Sequence, residues 1–403
     1  MTAVRVEPER LARWAGGARG VGIVGLVLGV VAFWLALPPV AARGPFAPVV
    51  VGIFAVAAGV WSATRGERRL GFGAVAAGVL GIALGILATR ASEGNLHEVV
   101  QWAPLLTLML VWSTPLTFAA IGGMFSERSG VVNIGLEGMM LAGAFFGILG
   151  ADKLDSWALG LLCAGVAGGL LALIHAIVSI HLRADQIVSG TAVNFLALGV
   201  TGYFFIQVYG TNGIHDLRSG SEIPAVHLGF LGNGFVGDVF GHLNLMIWLS
   251  FVLLVVSYVV MFKTAIGLRI RSVGEHPRAA DTVGISVYKV RYASVVTSGV
   301  IVALGGAYIS TGFNHSFAEN VTAGRGFIGL AALIFGNWRP FGAFAAALLF
   351  GFSTALQFRL AGVWGNISVL FAALPYLLTL IAVAGVIGRT TPPASIGRPY
   401  VKQ

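Results

Sequence analysis

Apolar runs of about 20 residues, separated by short polar or Gly/Pro-containing turns, recur along nearly the whole chain. A helix rises about 1.5 Å per residue, so each run has the length that crosses the hydrocarbon core of a bilayer. The pattern predicts spans at about 21–42, 46–64, 70–89, 99–124, 131–150, 157–180, 187–207, 243–262, 291–311, 326–337, 341–357 and 367–388. That makes twelve, or eleven if the short run 326–337 is re-entrant. The alternating ten-residue segments of a barrel are absent, so the expected fold is all-α: a polytopic transmembrane helical bundle.

Composition agrees. With 57% hydrophobic and 10% charged residues, 403 residues carry more apolar surface than a water-soluble globule could bury. The 57 glycines include Gly25/Gly29, Gly81/Gly85, Gly143/Gly147 and Gly165/Gly169. Each pair shares one helix face, which lets backbones approach closely in lipid.

The net charge of +9 suits either nucleic acid or topology, and its placement decides. With the N-terminus inside, 19 of the 25 Lys and Arg fall on cytoplasmic segments; only Arg43, Arg90, Lys153, Arg218, Arg325 and Arg359 fall outside. Both termini are therefore expected in the cytoplasm, and no nucleic-acid partner is implied. The run 21–42 is too long for a signal-peptide core and lacks a small-residue cleavage site before Pro38 and Pro39, so it is kept as a span. Residues 1–98, with three spans free of ionisable groups in their apolar cores, read as an accessory module. Residues 99–390 read as the core and 391–403 as a cytoplasmic tail.

Catalytic patterns are missing. No Lys follows a glycine as an ATP-binding loop requires, and neither HExxH nor G-x-S-x-G occurs. His175 and His181 are six apart and on different helix faces, and the lone Cys163 sits in an apolar run. No catalytic group and no metal ligand set is expected.

One carboxylate stands out within the apolar cores. In "SERSGVVNIGLEGMM" the four-residue spacing puts Asn133 and Glu137 on one helix face. An ionised carboxylate at that depth is costly without partners or water, so both are expected to face inward. Two readings stay open: a substrate pathway with Asn133, Glu137, Asn194 and Phe195, or a structural clamp. In the clamp, Glu137 is satisfied by backbone amides or by an arginine such as Arg128. Gln186, Gln207 and Phe205 are further polar or stacking groups at helix depth.

The inner segment 263–290 has its own pattern, "GLRIRSVGEHPRAADTVGISVYKVRY" over residues 267–292. Pro277 suits a first helical turn and Gly284 a helix end, which predicts a short amphipathic helix with Ala279, Ala280 and Val283 on one side. Such a helix is either a solvated connector or a lever pushed by a cytoplasmic partner.

"GEHPRAADTVGISVYKVR" resembles the coupling segment of bacterial ATP-binding-cassette importer permeases for simple sugars, branched-chain amino acids and nucleosides. "ERSGVVNIGLEGMM" and "GRGFIGLAALIFGNW" are most similar to the nucleoside branch. The resemblance covers about residues 100–390 and implies a type II-like importer permease core with extra N-terminal spans. It places Gly274, Glu275, Pro277, Ala279, Ala280 and Gly284 on the pattern that docks into a separate ATPase; His276 departs from the usual asparagine. It implies a bacterial inner-membrane permease for nucleosides, with sugars or branched-chain amino acids as alternative cargo and no ATPase of its own. No cofactor belongs to the chain, since ATP and Mg would be bound by the partner ATPase. The implied partners are that ATPase, a second permease subunit like or unlike this one, and an extracytoplasmic substrate-binding protein. An ion-coupled secondary transporter using Glu137 is the rival from another class.

Overall fold

The computed structural model describes residues 17–35, 45–90, 101–232, 234–361 and 391–401. The run 367–388, the Pro38–Pro39 turn and the polar break after Arg90 lie outside the described residues. The chain forms two compact units, residues 1–105 with 353–389, and residues 106–352 with 390–403.

In the first unit, α1 (Ala18–Trp34), α2 (Phe46–Thr64) and α3 (Arg68–Arg90) pack against one another. Small residues set the spacing: a Cβ on Gly59 would meet the Gly71 carbonyl at 2.7 Å, and one on Gly25 would meet Ala58 at 2.9 Å. Ser62 is fully buried and donates to the Ala18 carbonyl at 2.7 Å, while Phe54 and Phe72 point outward.

The second unit is built from α4 (Trp102–Arg128), α5 (Leu136–Lys153), α6 (Trp157–Ala176) with a π turn at Ile177–His181, and α7 (Gln186–Tyr209). After the short α8 (Phe235–Phe240) come α9 (Leu245–Lys263), α10 (Ala265–Glu275) and α11 (Pro277–Thr282). Then follow α12 (Val287–Ala307) with a π turn at Tyr308–Phe313, α13 (Arg325–Phe335) and α14 (Pro340–Ala361). The helices α4 and α14 continue into the first unit's share of the chain. Seven of the described helices are long and apolar enough to cross a membrane: α2, α4, α6, α7, α9, α12 and α14.

The helix α5 is the centre of this unit. Fourteen of its 18 residues are buried, and it packs on α6, α7 and α12. The crossing with α12 is close because each helix offers glycine: a Cβ on Gly143 would overlap the Ala303 backbone, and one on Gly306 the Met140 carbonyl.

At one end of the unit, two antiparallel ribbons tie loops to helix ends. Strand β1 (Ile214–Asp216) pairs with β4 (Ser316–Ala318), and β2 (Ala225–His227) with β3 (His242–Asn244). At the other end lie α10, α11 and the tail 391–401.

The span read as 131–150 is shorter than expected, because its helix begins only at Leu136. Residues 131–133 have no regular secondary structure and lead into a turn. Gly130 adopts φ +92°, which ends α4 in a left-handed residue that a side chain would strain.

Candidate functional site: a broken helix and an inner coupling face

The break between α4 and α5 exposes backbone groups that a continuous helix would have paired. Each unpaired group is expensive in hydrocarbon, and side chains from distant helices satisfy them. Ser126 Oγ donates to the Val131 carbonyl at 2.8 Å, and the Val132 amide donates to Gln186 Oε1 at 2.7 Å. His175 Nε2 lies 2.9 Å from the Val132 carbonyl and so carries the ring proton; Nδ1 then accepts from the Ser189 hydroxyl at 2.9 Å. Asn194 bridges the break to the first turn of α5, donating to the Ile134 carbonyl at 3.1 Å and accepting from the Gly138 amide at 2.8 Å.

Asn133 and Glu137 do not share a helix face, because Asn133 lies in the break ahead of α5. Its Oδ1 accepts from the Gly135 amide at 3.1 Å, an Asx-type turn that competes with helix, and its Nδ2 donates to Ser298 Oγ at 3.2 Å.

Glu137 sits in the first turn of α5 and reaches the N-terminus of α13. Its Oε1 accepts from Thr322 Oγ1 at 2.6 Å and the Gly324 amide at 2.8 Å, and its Oε2 accepts from the Gly326 amide at 2.6 Å. These are orphan amides of a helix start, where negative charge is favoured. Gly326 allows the approach, since a Cβ there would come within 2.5 Å of the Glu137 Cα. Arg128 is directed elsewhere, its Nε donating to the Trp338 carbonyl at 2.9 Å.

One buried group was missed in the sequence, and two expected pathway residues, Phe195 and Gln207, face outward. A second carboxylate, Glu127, is buried at 3% exposure and accepts from the Trp338 indole N–H at 2.6 Å. Phe195, next to Asn194, lies on the outer side of α7 at 70% exposure, and Gln207 is exposed as well. Phe205 is packed among Phe317 and Tyr209. The structure thus gathers Asn133, Glu137 and Asn194 around one break and leaves Phe195 apart.

The inner face is built on α10 and α11. Thr264 caps α10, accepting from the Gly267 amide at 3.3 Å, and Ile270, Val273 and Gly274 are buried. Gly274 packs directly on the Arg128 carbonyl, a contact that excludes any side chain. Pro277 occupies the first turn of α11, and Gly284 at φ +83° closes it, with the Ile285 amide donating to the Ala280 carbonyl at 3.0 Å. Ala279, Ala280 and Val283 do not form one face as the sequence suggested. Ala280 is buried against Val273, Val287 and Tyr400, while Ala279 and Val283 are exposed. A six-residue helix spans under two turns, so positions 279 and 280 diverge.

The tail holds this segment. The Ser395 amide and Oγ both donate to the Gly274 carbonyl, the amide at 2.9 Å, and the Ala394 amide donates to Glu275 Oε2 at 3.1 Å. The Tyr400 hydroxyl donates to Asp281 Oδ2 at 2.8 Å, and the Tyr288 hydroxyl to the Tyr400 carbonyl at 3.3 Å. Burial, and then the bond to Asp281, push the Tyr400 phenol above its ordinary pKa. The fully buried Arg291 donates from Nε to the Ser129 carbonyl at 3.2 Å and from Nη1 to the Arg398 carbonyl at 3.1 Å. It therefore joins the helix break to the tail.

A separate cavity of about 510 Å³ lies at the ribbon end, lined by Glu222, His242, Asn244, Tyr308, Phe313 and His315 among others. Its mix of aromatic faces and polar groups suits a small polar organic molecule.

A family model described as branched-chain amino acid transport system / permease component matches residues 105–383. The chain is 46% identical over 306 residues to the guanosine ABC transporter permease protein NupQ of Bacillus subtilis, covering 73% of this chain and 95% of the relative. It is 40% identical over 306 residues, with the same coverage, to the nucleoside ABC transporter permease protein NupC of Lactococcus lactis. A putative glucose ABC transporter permease protein of Haloferax volcanii, TsgC13, is 33% identical over 260 residues, 64% of this chain and 78% of the relative. No solved structure matches.

Proposed function

The chain belongs to the permease-component family of branched-chain amino acid transport systems, and on that premise we propose that it conducts nucleosides as a membrane-spanning subunit of an ATP-driven importer. It is a multi-pass membrane protein with the helical bundle such a role requires. The cargo rests on the likeness to permeases named for guanosine and for nucleosides, each matched over 95% of its length.

The observation that carries the mechanical part is the presentation of α11. A helix of under two turns, followed by Val283 at 74% exposure, projects from a mount of Gly274, Ala280 and the tail. An exposed apolar tip on an anchored lever fits insertion into a cleft of a separate ATPase. Closure of two such ATPases on ATP would push α11, and α10 would pass the motion to the α4–α5 break through the Gly274–Arg128 contact. In this reading a second permease subunit completes the pathway, and an extracytoplasmic binding protein delivers nucleoside to the ribbon end. Both termini lie in the cytoplasm and residues 1–98 are accessory.

The test is uptake of radiolabelled guanosine into proteoliposomes holding the chain, its second permease subunit and the ATPase, with binding protein opposite. Uptake should require ATP and be competed by unlabelled nucleosides. Competition by glucose or leucine in their place would overturn the cargo assignment.

A further inference from the structure

The inner face holds a cleft of about 620 Å³ with two walls: Glu275 to Ala279 on one side, and Ala394, Ser395 and Arg398 to Val401 of the tail on the other. We propose that the ATPase docks on both walls, with the tail supplying a recognition surface for a carboxylate-bearing element of that subunit. This rests on the importer reading above and adds to it a partner surface outside the coupling pattern.

Three observations support it. First, the tail is tied down at three points along its length. Ser395 is bound to Gly274, Gly397 donates from its amide to the Gly130 carbonyl at 3.1 Å, and Tyr400 is clamped by Asp281 and Tyr288. Its exposed side chains are therefore presented at little entropic cost, which favours recognition.

Second, the cleft is basic in balance, two arginines against one carboxylate, Glu275. Arg278 and Arg398 are exposed on opposite walls, and neither guanidinium forms an ion pair among the described residues. Glu275, the one acidic residue lining the cleft, is turned to the Ala394 amide, and the tail wall contributes no carboxylate. Two guanidinium forks facing one cleft select planar carboxylates.

Third, the exposed residues nearby are mixed in kind. Val401, which lines the tail wall, is 49% exposed, and Val283, the residue that follows α11, is 74% exposed outside the cleft. Exposed apolar and arginine side chains in one neighbourhood are the mix that protein-docking surfaces use.

The experiment uses the full chain in nanodiscs with its ATPase. Photo-crosslinking side chains placed at 283 and at 401 should both capture the ATPase. Arg398→Glu should weaken ATPase binding about tenfold or more and flatten its dependence on salt, whereas Arg398→Lys should retain most of the affinity. Both are exposed substitutions, and the Arg398 carbonyl that holds Arg291 is kept, so the mount stays intact. Capture at 283 alone, with Arg398→Glu binding as tightly as the parent, would overturn the composite surface and leave the importer reading standing. Capture at neither position, with no ATPase binding by the parent chain, would overturn both.

Discussion

Glu137 Oε2 accepts a 2.6 Å hydrogen bond from the amide of Gly326, 189 residues further along the chain. One carboxylate thereby joins the start of α5 to the start of α13, two helices that begin inside the unit. The geometry makes Glu137 a cap for a foreign helix and defines what its replacement should do.

Glu137→Gln keeps the shape but replaces one accepting oxygen with an NH₂ donor, facing amide and hydroxyl donors. The new NH₂ and at least one donor that faces it are left unpaired, at about 1–3 kcal/mol each. The melting temperature in detergent should fall by several degrees while the ranking among nucleosides is unchanged. Uptake should still need ATP and ignore ionophores at constant ATP. Parental stability with a reordered nucleoside preference would make Glu137 a substrate contact, and ionophore-sensitive uptake would favour ion coupling.

His175→Leu should be at least as damaging. It strips the Val132 carbonyl and the Ser189 hydroxyl of their partner in the break, so a loss of about 2–4 kcal/mol is expected from two unpaired groups. Thermal unfolding in detergent measures it; an unchanged midpoint would show that the break is held by other means.

The glycines of the α5–α12 crossing give a paired comparison. Gly306→Ala should prevent stable folding, since its Cβ would overlap the Met140 carbonyl, whereas Gly199→Ala on α7 has open space and should be neutral or slightly stabilising. Yield of monodisperse protein after detergent extraction distinguishes them.

For topology, a cysteine at 216 in β1 should react with a membrane-impermeant maleimide in intact cells, and one at 278 on α11 should not. Both positions are exposed in the fold, so labelling reports the side of the membrane. The reverse pattern would invert the assigned orientation.

Helix positions were legible because length and hydropathy alone determine them: Phe46–Thr64 and Leu245–Lys263 match their apolar runs almost to the residue. The break at 129–135 was not, because "SGVVNIG" is as apolar as a helix, and hydropathy is blind to backbone path. Its supports, Gln186, His175 and Asn194, lie 43 to 60 residues away from the groups they pair. Gly130 and Gly135 on either side of Asn133 were the local signal available. For Glu137 the sequence left two kinds of partner open, backbone amides or an arginine such as Arg128, and the structure supplies the amides, at the start of α13. The tail showed nothing in sequence, since its role is entirely in tertiary contacts such as Ser395 to Gly274. Glu127 escaped notice because it adjoins Arg128 at a helix end, where a solvated pair is the ordinary reading.

The central claim, that the inner segment transmits the work of a separate ATPase, is tested most directly by nucleoside-stimulated ATP hydrolysis. The complex with Glu275 and Pro277 both replaced by glycine loses the Ala394 bond and the fixed first turn of α11. The account predicts a chain that still inserts, basal hydrolysis that persists, and stimulation by nucleoside and binding protein that is abolished. Stimulation equal to that of the parent complex would contradict it.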